Sequence, residues 1–339
     1  MKHADTGRPA APDGLVVVDK PAGWTSHDVV GRMRRLAGTR RVGHAGTLDP
    51  MATGVLVLGV EKATRLLGHL ALSRKVYEAT IRLGQATVTD DAEGEVTAAV
   101  PAGHLDDATI LAAIGPLTGE IMQVPSSVSA IKINGVRSYA RVRSGDEVKL
   151  AARPVTVYRF DVHEIRHDKA ELRDRSVIDP GVIGSGATDS DAIDLDVASD
   201  VTDLEVTDLE VTMECSSGTY IRALARDLGA ALGVGGHLTA LRRTSVGPYS
   251  LTQAHTLDQF AHCVERGEPL PVLSLAVAAA AAFPRYDVGD EQAKSIAHGG
   301  FLPSPGLGEG PIAVFGPDGA FLALVEERGG RAKPIAVFV

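Results

Sequence analysis

The stretch Gly43-His-Ala-Gly-Thr-Leu-Asp-Pro-Met-Ala-Thr-Gly54 carries a single carboxylate, that of Asp49, in a segment interrupted by glycine and proline. These residues do not favour one regular element, and Pro50 restricts the backbone directly after the carboxylate. Catalytic groups concentrate on loops that rigid elements hold in place. The stretch therefore predicts a catalytic loop around Asp49, although an Asp-Pro pair alone is also typical of an ordinary turn.

Regular elements are predicted on both sides of this loop. Residues 14–19 are rich in valine and predict a short strand. Ser26 is a candidate N-cap for a helix that closes near Gly38. After the loop, residues 54–60 predict a buried strand, and a helix is expected over residues 61–72. The loop is thus expected between a helix with several arginines and a buried strand.

Further strands and helices are predicted beyond this region. Strands are expected at residues 75–83, 154–164 and 209–215. A helix is expected near residues 106–113, and a second over residues 219–232, where apolar residues recur at helical spacing. This mixture is compatible with an α+β fold.

The charge of the chain is concentrated in one segment. The formal net charge over 339 residues is −9, which at first argues against a nucleic-acid partner. Residues 174–210, however, contain eleven acidic residues and one basic residue, a net charge of −10. Residues 20–75 contain ten basic and three acidic residues, a net charge of +7. A basic face therefore exists, and RNA stays possible as a partner.

Other function classes are disfavoured by composition. Two cysteines, Cys215 and Cys263, do not make a disulfide framework, so we expect a cytoplasmic protein. The polar start at residues 1–14 predicts no signal peptide, and the longest apolar run, 275–283, is too short to cross a membrane. No cluster of Cys and His has metal-ligand spacing, so no metal or other cofactor is expected.

The chain divides into four predicted segments. Residues 1–13 are expected to be a disordered tail, and 14–250 a catalytic domain. Within the domain, the Gly-, Ser- and Asp-rich segment at about 168–206, which includes part of a repeated VTDLE motif, predicts an expanded, solvated hairpin loop. Residues 251–284 are a less patterned connector, and short strands with Gly-containing turns predict a β-rich module at 285–339.

Three blocks of sequence carry a resemblance to a known family. They are GLVVVDKPAGWTSHDVV from residue 14, RVGHAGTLDPMATGVLVLGVEKATRLL from residue 41, and CSSGTYIRALARDLGAALG from residue 215. Together they resemble the TruB family of tRNA pseudouridine synthases over residues 14–249, and residues 285–339 are similar to its PUA-like module. The resemblance implies an α+β pseudouridine synthase fold with a mixed, largely antiparallel central sheet.

The resemblance also implies a reaction. Asp49 matches the family's catalytic nucleophile, which cleaves the uridine glycosidic bond before the uracil turns and rejoins the sugar through C5. A single carboxylate suits this chemistry without a metal. Attack on the sugar C1′, a transient adduct with the base and abstraction of a sugar proton all stay open at this point.

Further site residues follow from the same match. Arg222 matches an arginine that pairs with the catalytic carboxylate, and Tyr77 matches a tyrosine that stacks on the flipped base. An arginine near a helix start is disfavoured by the helix dipole, so a carboxylate partner would explain Arg222. The remaining residues expected to contact substrate are His44, which is expected to aid flipping, Tyr220, Lys20 and Leu241.

Basic positions flank the loop in several runs and predict phosphate contacts rather than a merely solvated face. Those expected to contact the RNA backbone are Arg40, Arg41, Lys132, Arg141 and Arg242, with Arg243 beside the last. One position departs from the family pattern, because Val128 replaces a usual tyrosine. That change puts a local packing or RNA contact in doubt, not Asp49.

The expected function is isomerisation of uridine 55 in the T loop of tRNA by a standalone enzyme. The T stem-loop is the expected partner, and neither a membrane, an obligate protein partner nor an oligomer is expected. One alternative is a guide-RNA-dependent relative that works in a ribonucleoprotein. The other is an RNA-binding protein with vestigial catalysis, against which the joint retention of Asp49, Tyr77 and Arg222 speaks.

Overall fold

The computed structural model describes residues 12–126, 132–133, 136–137, 150–172 and 202–339. Nearly all of the predicted tail and much of the acidic segment lie outside these residues. The chain forms two compact units, one of residues 1–73 with 243–339 and one of residues 74–242. We call them the first and the second unit. The predicted domain boundaries at residues 250 and 284 both fall within the first unit, and that division by domain stays a prediction.

Valine-rich strands form the centre of the first unit. Its strands are β1 (Gly14–Lys20), β2 (Val42–Ala45) and β3 (Thr53–Val60). Both β1 and β2 pair with β3 in antiparallel registers. The predicted strands at residues 14–19 and 54–60 are therefore confirmed.

Helices cover one face of these strands. They are α1 (Ser26–Ala37) and α5 (Leu257–Glu265). Val16, Val18, Leu56 and Leu58 point into this layer and are fully buried. Because Leu15, Val17, Val55 and Val57 pack on the other face, the strands are apolar on both sides.

The segment after β3 differs from its prediction. In place of one helix over residues 61–72, a 3₁₀ turn (Glu61–Arg65) precedes the single-turn helix α2 (Leu67–Leu70). The chain folds back so tightly that a side chain at Gly59 would meet the Ala63 backbone. Glu61 also adopts a left-handed conformation, with φ of 53°, so no continuous α-helix begins there.

The last part of the first unit is a five-stranded sheet. Its strands, in spatial order, are β15 (Arg285–Asp287), β17 (Ile312–Phe315), β18 (Phe321–Arg328), β19 (Arg331–Val337) and β16 (Leu302–Pro303). Helix α7 (Asp290–Ala297) packs on one face around Ile296, and the other face packs on α6 (Leu275–Ala282) and the β1–β3 core. This is the expected PUA-like β-module.

The second unit contains a sheet in which strands of high sequence separation meet. Its order is β12 (Gly236–Val246, which continues into the first unit), β4 (Lys75–Leu83), β11 (Thr202–Cys215), β10 (Arg153–Leu172) and β7 (Gly119–Gln123). The pairings of β11 with β4, β10 with β11 and β10 with β7 are antiparallel. The expected α+β fold with a mixed, largely antiparallel central sheet is confirmed.

Smaller elements complete the second unit. They are the strands β5 (Gln85–Thr87), β6 (Val96–Ala99), β8 (Lys132–Ile133) and β9 (Val136–Arg137), and the helices α3 (Asp107–Ile114) and α4 (Ile221–Ala231). The helices predicted near 106–113 and over 219–232 are confirmed with slightly shifted ends. The first unit also has the two-residue strands β13 (Tyr249–Ser250) and β14 (Leu273–Ser274).

Strands β10 and β11 run further than predicted. Their ladder continues to the pair Leu172 and Thr202, so the outer parts of the segment expected to be a solvated loop are strands. Leu204 and Val206 are buried, while Asp203 and Glu205, which alternate with them along the strand, are exposed. This alternation of acidic and apolar residues is the period of a half-buried strand, which explains why the acidic repeat does not form a loop here.

Among the described residues, no helix is both long and apolar enough to cross a membrane.

Candidate active site

Asp49 lies in the loop between β2 and β3 of the first unit and is half-buried. Two glycines in left-handed conformations bracket it, Gly46 with φ of 79° and Gly54 with φ of 96°. Side chains other than glycine rarely adopt such angles, so these residues allow the loop to leave β2 and to enter β3. The Asp49 carbonyl accepts a hydrogen bond from the Ala52 amide at 3.2 Å.

Lys20 fixes the residue after Asp49. It ends β1 and is fully buried. Its Nζ donates to the carbonyl oxygens of Pro21 at 3.0 Å, Trp24 at 2.6 Å and Pro50 at 3.1 Å. These three acceptors match the three donors of an ammonium group, which a buried lysine requires. Lys20 therefore lies beside the Asp49 loop and binds the backbone of the loop at Pro50.

Ser26 fixes the residue before Asp49. Its hydroxyl accepts a hydrogen bond from the Leu48 amide at 2.9 Å and donates to the Leu48 carbonyl at 3.1 Å. The prediction that Ser26 caps α1 is wrong, because Thr25 is the N-cap and forms a capping box with Asp28. The cap at Thr25 leaves the Ser26 hydroxyl available for the loop.

Arg243 holds both ends of the loop. Its Nε donates to the Val55 carbonyl at 2.8 Å, Nη1 to the Thr47 carbonyl at 3.3 Å and Nη2 to the Gly46 carbonyl at 3.0 Å. Arg243 is fully buried, so the expectation that it contacts phosphates is wrong. A buried guanidinium is tolerated here because each of its three nitrogens has a carbonyl acceptor.

His44 lies on β2, at the entry to the loop, and is half-buried. Its ring meets that of His27 on α1 edge to face, with 5.5 Å between ring centroids. Burial lowers the pKa of His44 below 6.5, and the nearby His27 and Arg243 lower it further. His44 is therefore neutral near pH 7.

Arg222 lies in the first turn of α4 in the second unit and is buried. Its Nη1 donates to the Thr89 carbonyl at 2.7 Å and lies 3.2 Å from Oδ2 of Asp91. Asp91 is itself 2% exposed, so this is a buried ion pair. No sequence motif marks Asp91 as the partner of Arg222. The expected pairing of Arg222 with Asp49 joins residues of the two units and stays a prediction.

Asp90 and Arg226 form a second link beside this pair. Asp90 adopts a left-handed conformation with φ of 58°, and its Oδ2 lies 3.3 Å from Nη1 of Arg226. Burial raises the pKa of Asp90, although Arg226 opposes this effect. Arg226 also donates to the Val124 carbonyl at 2.7 Å. The turn at residues 89–91 is thereby tied to α4 and to the end of β7.

The expected tyrosines and Leu241 also belong to the second unit. Tyr77 lies on β4, opposite Met213 of β11, and is 7% exposed. Tyr220 precedes α4, and its backbone exchanges two hydrogen bonds with the side chain of Gln123, at 2.8 and 3.0 Å. Leu241 is buried on β12. The substrate roles of these residues stay predictions.

The residues expected to contact RNA phosphates differ in their exposure to solvent. Arg40 and Arg41 follow α1 and are exposed, and Nη1 of Arg41 lies 3.4 Å from Oε2 of Glu61. Arg242 is half-buried on β12. Lys132 pairs through its backbone with Arg137. Arg141 and the departure at Val128 lie outside the described residues.

Comparisons with known proteins identify the family. The family model described as "TruB family pseudouridylate synthase (N terminal domain)" matches residues 34–176. The model "tRNA pseudouridylate synthase B C-terminal domain" matches 222–270, and "tRNA Pseudouridine synthase II, C terminal" matches 283–339. A protein of Streptomyces griseus named tRNA pseudouridine synthase B is 58% identical over 98% of this chain and 99% of its own length.

The chain belongs to the TruB family of tRNA pseudouridine synthases. It is therefore an enzyme of the isomerase class. Relatives of the same name from an Arthrobacter species and from Corynebacterium aurimucosum are 56% and 50% identical over 96% and 97% of this chain and the same shares of their own lengths.

Solved structures support the fold. A crystal structure of a Cbf5-Nop10-Gar1 complex has a chain that aligns with a TM-score of 0.66 at 23% identity, over 98% of this chain and 88% of that chain. A structure of an H/ACA RNP bound to a substrate RNA containing 2′-deoxyuridine aligns with a TM-score of 0.64 at 22% identity, over 96% and 85%. At these identities the likeness concerns the fold of this TruB-family chain.

Proposed function

We propose that this enzyme isomerises uridine 55 in the T loop of tRNA, acting on free tRNA without a guide RNA. Relatives that are 50–58% identical over nearly the whole chain carry the name tRNA pseudouridine synthase B, which supports tRNA as the substrate. The basic N-terminal segment, with a net charge of +7 over residues 20–75, suits an RNA backbone. A T stem-loop offers shape, phosphates and unstacked bases for recognition.

The observation that carries the proposal is the set of hydrogen bonds that hold the backbone of the Asp49 loop. Carbonyl groups on both sides of this carboxylate are bound by buried side chains of Lys20, Ser26 and Arg243. A turn that only caps itself does not need two buried cations on its carbonyls. A nucleophile that must meet one atom of a substrate does need a fixed position.

In the proposed reaction, the Asp49 carboxylate initiates cleavage of the bond between uracil N1 and the sugar C1′. The uracil then turns within the site, and a bond forms between its C5 and C1′. The proton on C5 leaves and N1 gains one, so product and substrate have the same composition. Attack of Asp49 on C1′, a base adduct and removal of a sugar proton all remain consistent with one carboxylate.

The other site residues have supporting roles in this proposal. The guanidinium of Arg222, oriented by Asp91, offers a cation for the carboxylate. Tyr77 stacks on the extruded base, which base-modifying enzymes must hold outside the helix. Neutral His44 aids flipping of the target nucleotide by filling the space that this nucleotide leaves in the RNA. We propose Tyr220 and Leu241 as further substrate contacts, Lys20 as a support of the Asp49 loop, and the exposed Arg40 and Arg41 as phosphate contacts.

The test is direct. Purified protein is incubated with an unmodified T-arm RNA, and pseudouridine is mapped along the product. We expect modification at position 55 by the wild type and none by Asp49→Asn. Asp258→Asn, which changes an exposed carboxylate on α5, is the matched control and should keep full activity. An inactive wild-type protein that becomes active only in a ribonucleoprotein would favour the guide-dependent alternative.

A further inference from the structure

The side chain of Arg243 joins the two ends of the Asp49 loop. Two of its nitrogens bind the carbonyls of Gly46 and Thr47, before Asp49. The third binds the carbonyl of Val55, at the start of β3. The side chain thus connects the backbone at residues 46 and 47 with the backbone at residue 55. Ser26 and Lys20, by contrast, each hold a single loop residue.

The backbone of Arg243 takes part in the same contact. A side chain at Gly54 would collide with the carbonyl oxygen of Arg243, so glycine is required there. The strand that carries Arg243 and the strand that follows the loop therefore touch directly. Both the side chain and the main chain of Arg243 define where the loop can lie.

The chemistry of the contact suits positioning and not substrate binding. A guanidinium presents its donors in a rigid planar fork, and this geometry can satisfy carbonyls on two sides at once. Arg243 is fully buried and all three nitrogens face the backbone, so it does not face solvent or RNA. A lysine has one nitrogen at the end of a flexible stem and cannot bridge the same separated acceptors.

We propose that Arg243 is a positioning residue for the reaction, which fixes the Asp49 loop in the geometry that catalysis requires. The proposal rests on the role of Asp49 proposed above. Displacement of a reacting group by about 1 Å can cost roughly 100-fold in rate. Loss of the bridge should therefore slow the chemical step while RNA binding is retained, because the buried Arg243 side chain does not itself contact RNA.

The experiment compares Arg243→Lys with the wild type and with Arg82→Lys. Arg82 forms a half-buried bidentate pair with Asp208 in the second unit, so its substitution tests the loss of a structural arginine away from the loop. For each protein we would measure single-turnover rate on T-arm RNA, RNA affinity and the thermal midpoint. Asp49→Asn is included to establish that the measured product depends on the carboxylate.

We expect Arg243→Lys to lose about 100-fold in single-turnover rate, with RNA affinity changed by less than about twofold. Arg82→Lys should lower the thermal midpoint but keep its rate at temperatures where it is folded. Arg243→Gln, which avoids an unpaired buried charge, should lose rate to a similar extent because an amide reaches only one side of the loop.

Several outcomes would overturn the proposal. One is a folded Arg243→Lys or Arg243→Gln protein with the wild-type rate. Another is a loss of rate in Arg82→Lys equal to that in Arg243→Lys at the same loss of thermal midpoint. Failure of both Arg243 variants to fold would assign the residue to stability alone. If Asp49→Asn stays active, the proposed role of Asp49 is wrong. This outcome is distinct from a failure of the Arg243 proposal, in which Asp49→Asn is inactive but the Arg243 variants keep the wild-type rate.

Discussion

Nη1 of Arg222 lies 3.2 Å from Oδ2 of Asp91, and the side chains of both residues are at most 5% exposed. Asp91 supplies an opposite charge within the protein, which stabilises the buried guanidinium of Arg222. The Thr89 carbonyl accepts a further hydrogen bond from the same nitrogen at 2.7 Å. Asp91 therefore determines how Arg222 is presented at the start of α4.

The first prediction concerns this pair. Asp91→Asn should slow pseudouridine formation by at least about tenfold, because an amide orients the Arg222 guanidinium less strongly than a carboxylate. RNA affinity should stay unchanged, since Asp91 is buried. Single-turnover rates and equilibrium binding distinguish the two effects.

Asp161→Asn is the control for that substitution. Asp161 lies 3.0 Å from Arg159 in an exposed pair on β10, where loss of the charge should leave rate and stability unchanged. Equal rates for Asp91→Asn and the wild type would show that Arg222 does not depend on its carboxylate partner.

The loop around Asp49 shows which features of the site can be predicted from the sequence and which cannot. The interruption by glycine and proline and the strand β3 after the loop could be predicted, because local patterns encode them, whereas the strand β2 before the loop was not predicted. The contacts of Ser26 and Arg243 could not, because each joins a side chain to a backbone carbonyl of a distant residue, and carbonyls have no sequence signature. Arg243 even had a misleading signal, since its neighbour Arg242 suggested a basic surface.

Asp91 and the β10–β11 hairpin are two other features that could not be fully predicted from the sequence. Arg222 is paired with a carboxylate, but the sequence does not say which of the many acidic residues supplies it. The hairpin was predicted too short because acidic residues dominate the repeat, although Leu204 and Val206 already alternate with them at strand period. The apolar half of that pattern could have extended the prediction.

A second prediction uses the single tryptophan of the chain. Trp24 is 36% exposed, and its carbonyl accepts a hydrogen bond from Lys20, which also binds the residue after Asp49. The backbone of Trp24 therefore lies beside the Asp49 loop, at a position that we call the rim of the loop. Binding of T-arm RNA should quench its fluorescence, because nearby bases stack on or shield exposed aromatic rings.

That titration is best done with Asp49→Asn, so that no turnover occurs during binding. Trp24→Phe should have no signal and gives the background. Complex formation detected by filter binding without any change in emission would place the RNA away from this rim.

A third prediction concerns salt. RNA affinity should fall steeply between low and moderate salt, and Arg40→Gln should reduce the slope of log affinity against log salt by about 1. Arg285→Gln changes an exposed arginine that is paired with Asp287 on β15 and serves as the control. An unchanged slope in Arg40→Gln would remove that residue from the phosphate contacts.

A fourth prediction concerns pH and His237, which is buried on β12 and hydrogen-bonded through Nδ1 to the Gln85 carbonyl at 3.0 Å. Burial lowers the pKa of His237 below 6.5, so the unfolded chain binds its proton more readily than the folded one. Stability from this group is therefore complete above pH 6.5 and is lost as pH falls below that value.

Urea unfolding at several pH values between 7 and 5 would measure this effect. His237→Gln keeps a donor for the Gln85 carbonyl but cannot titrate, so its free energy of unfolding should fall less steeply over this range. Parallel curves for wild type and variant would show that His237 does not contribute. The same experiment at His104, an exposed histidine, is the control for a simple loss of imidazole.

The last prediction concerns the acidic segment between the long strands. Since Leu172 and Thr202 are paired, a two-residue Asn-Gly turn can replace residues 173–201 without disturbing the ladder. The replaced segment has a net charge of −5, so its removal should strengthen RNA binding at low salt or leave it unchanged. The rate of the chemical step should equal that of the wild type, because the side chains that hold the Asp49 loop, those of Lys20, Ser26 and Arg243, belong to the first unit. A replacement of the segment by 29 uncharged residues separates the effect of charge from that of length. A large loss of rate in the short-turn variant, but not in the uncharged one, would mean that the segment shapes the site by its length.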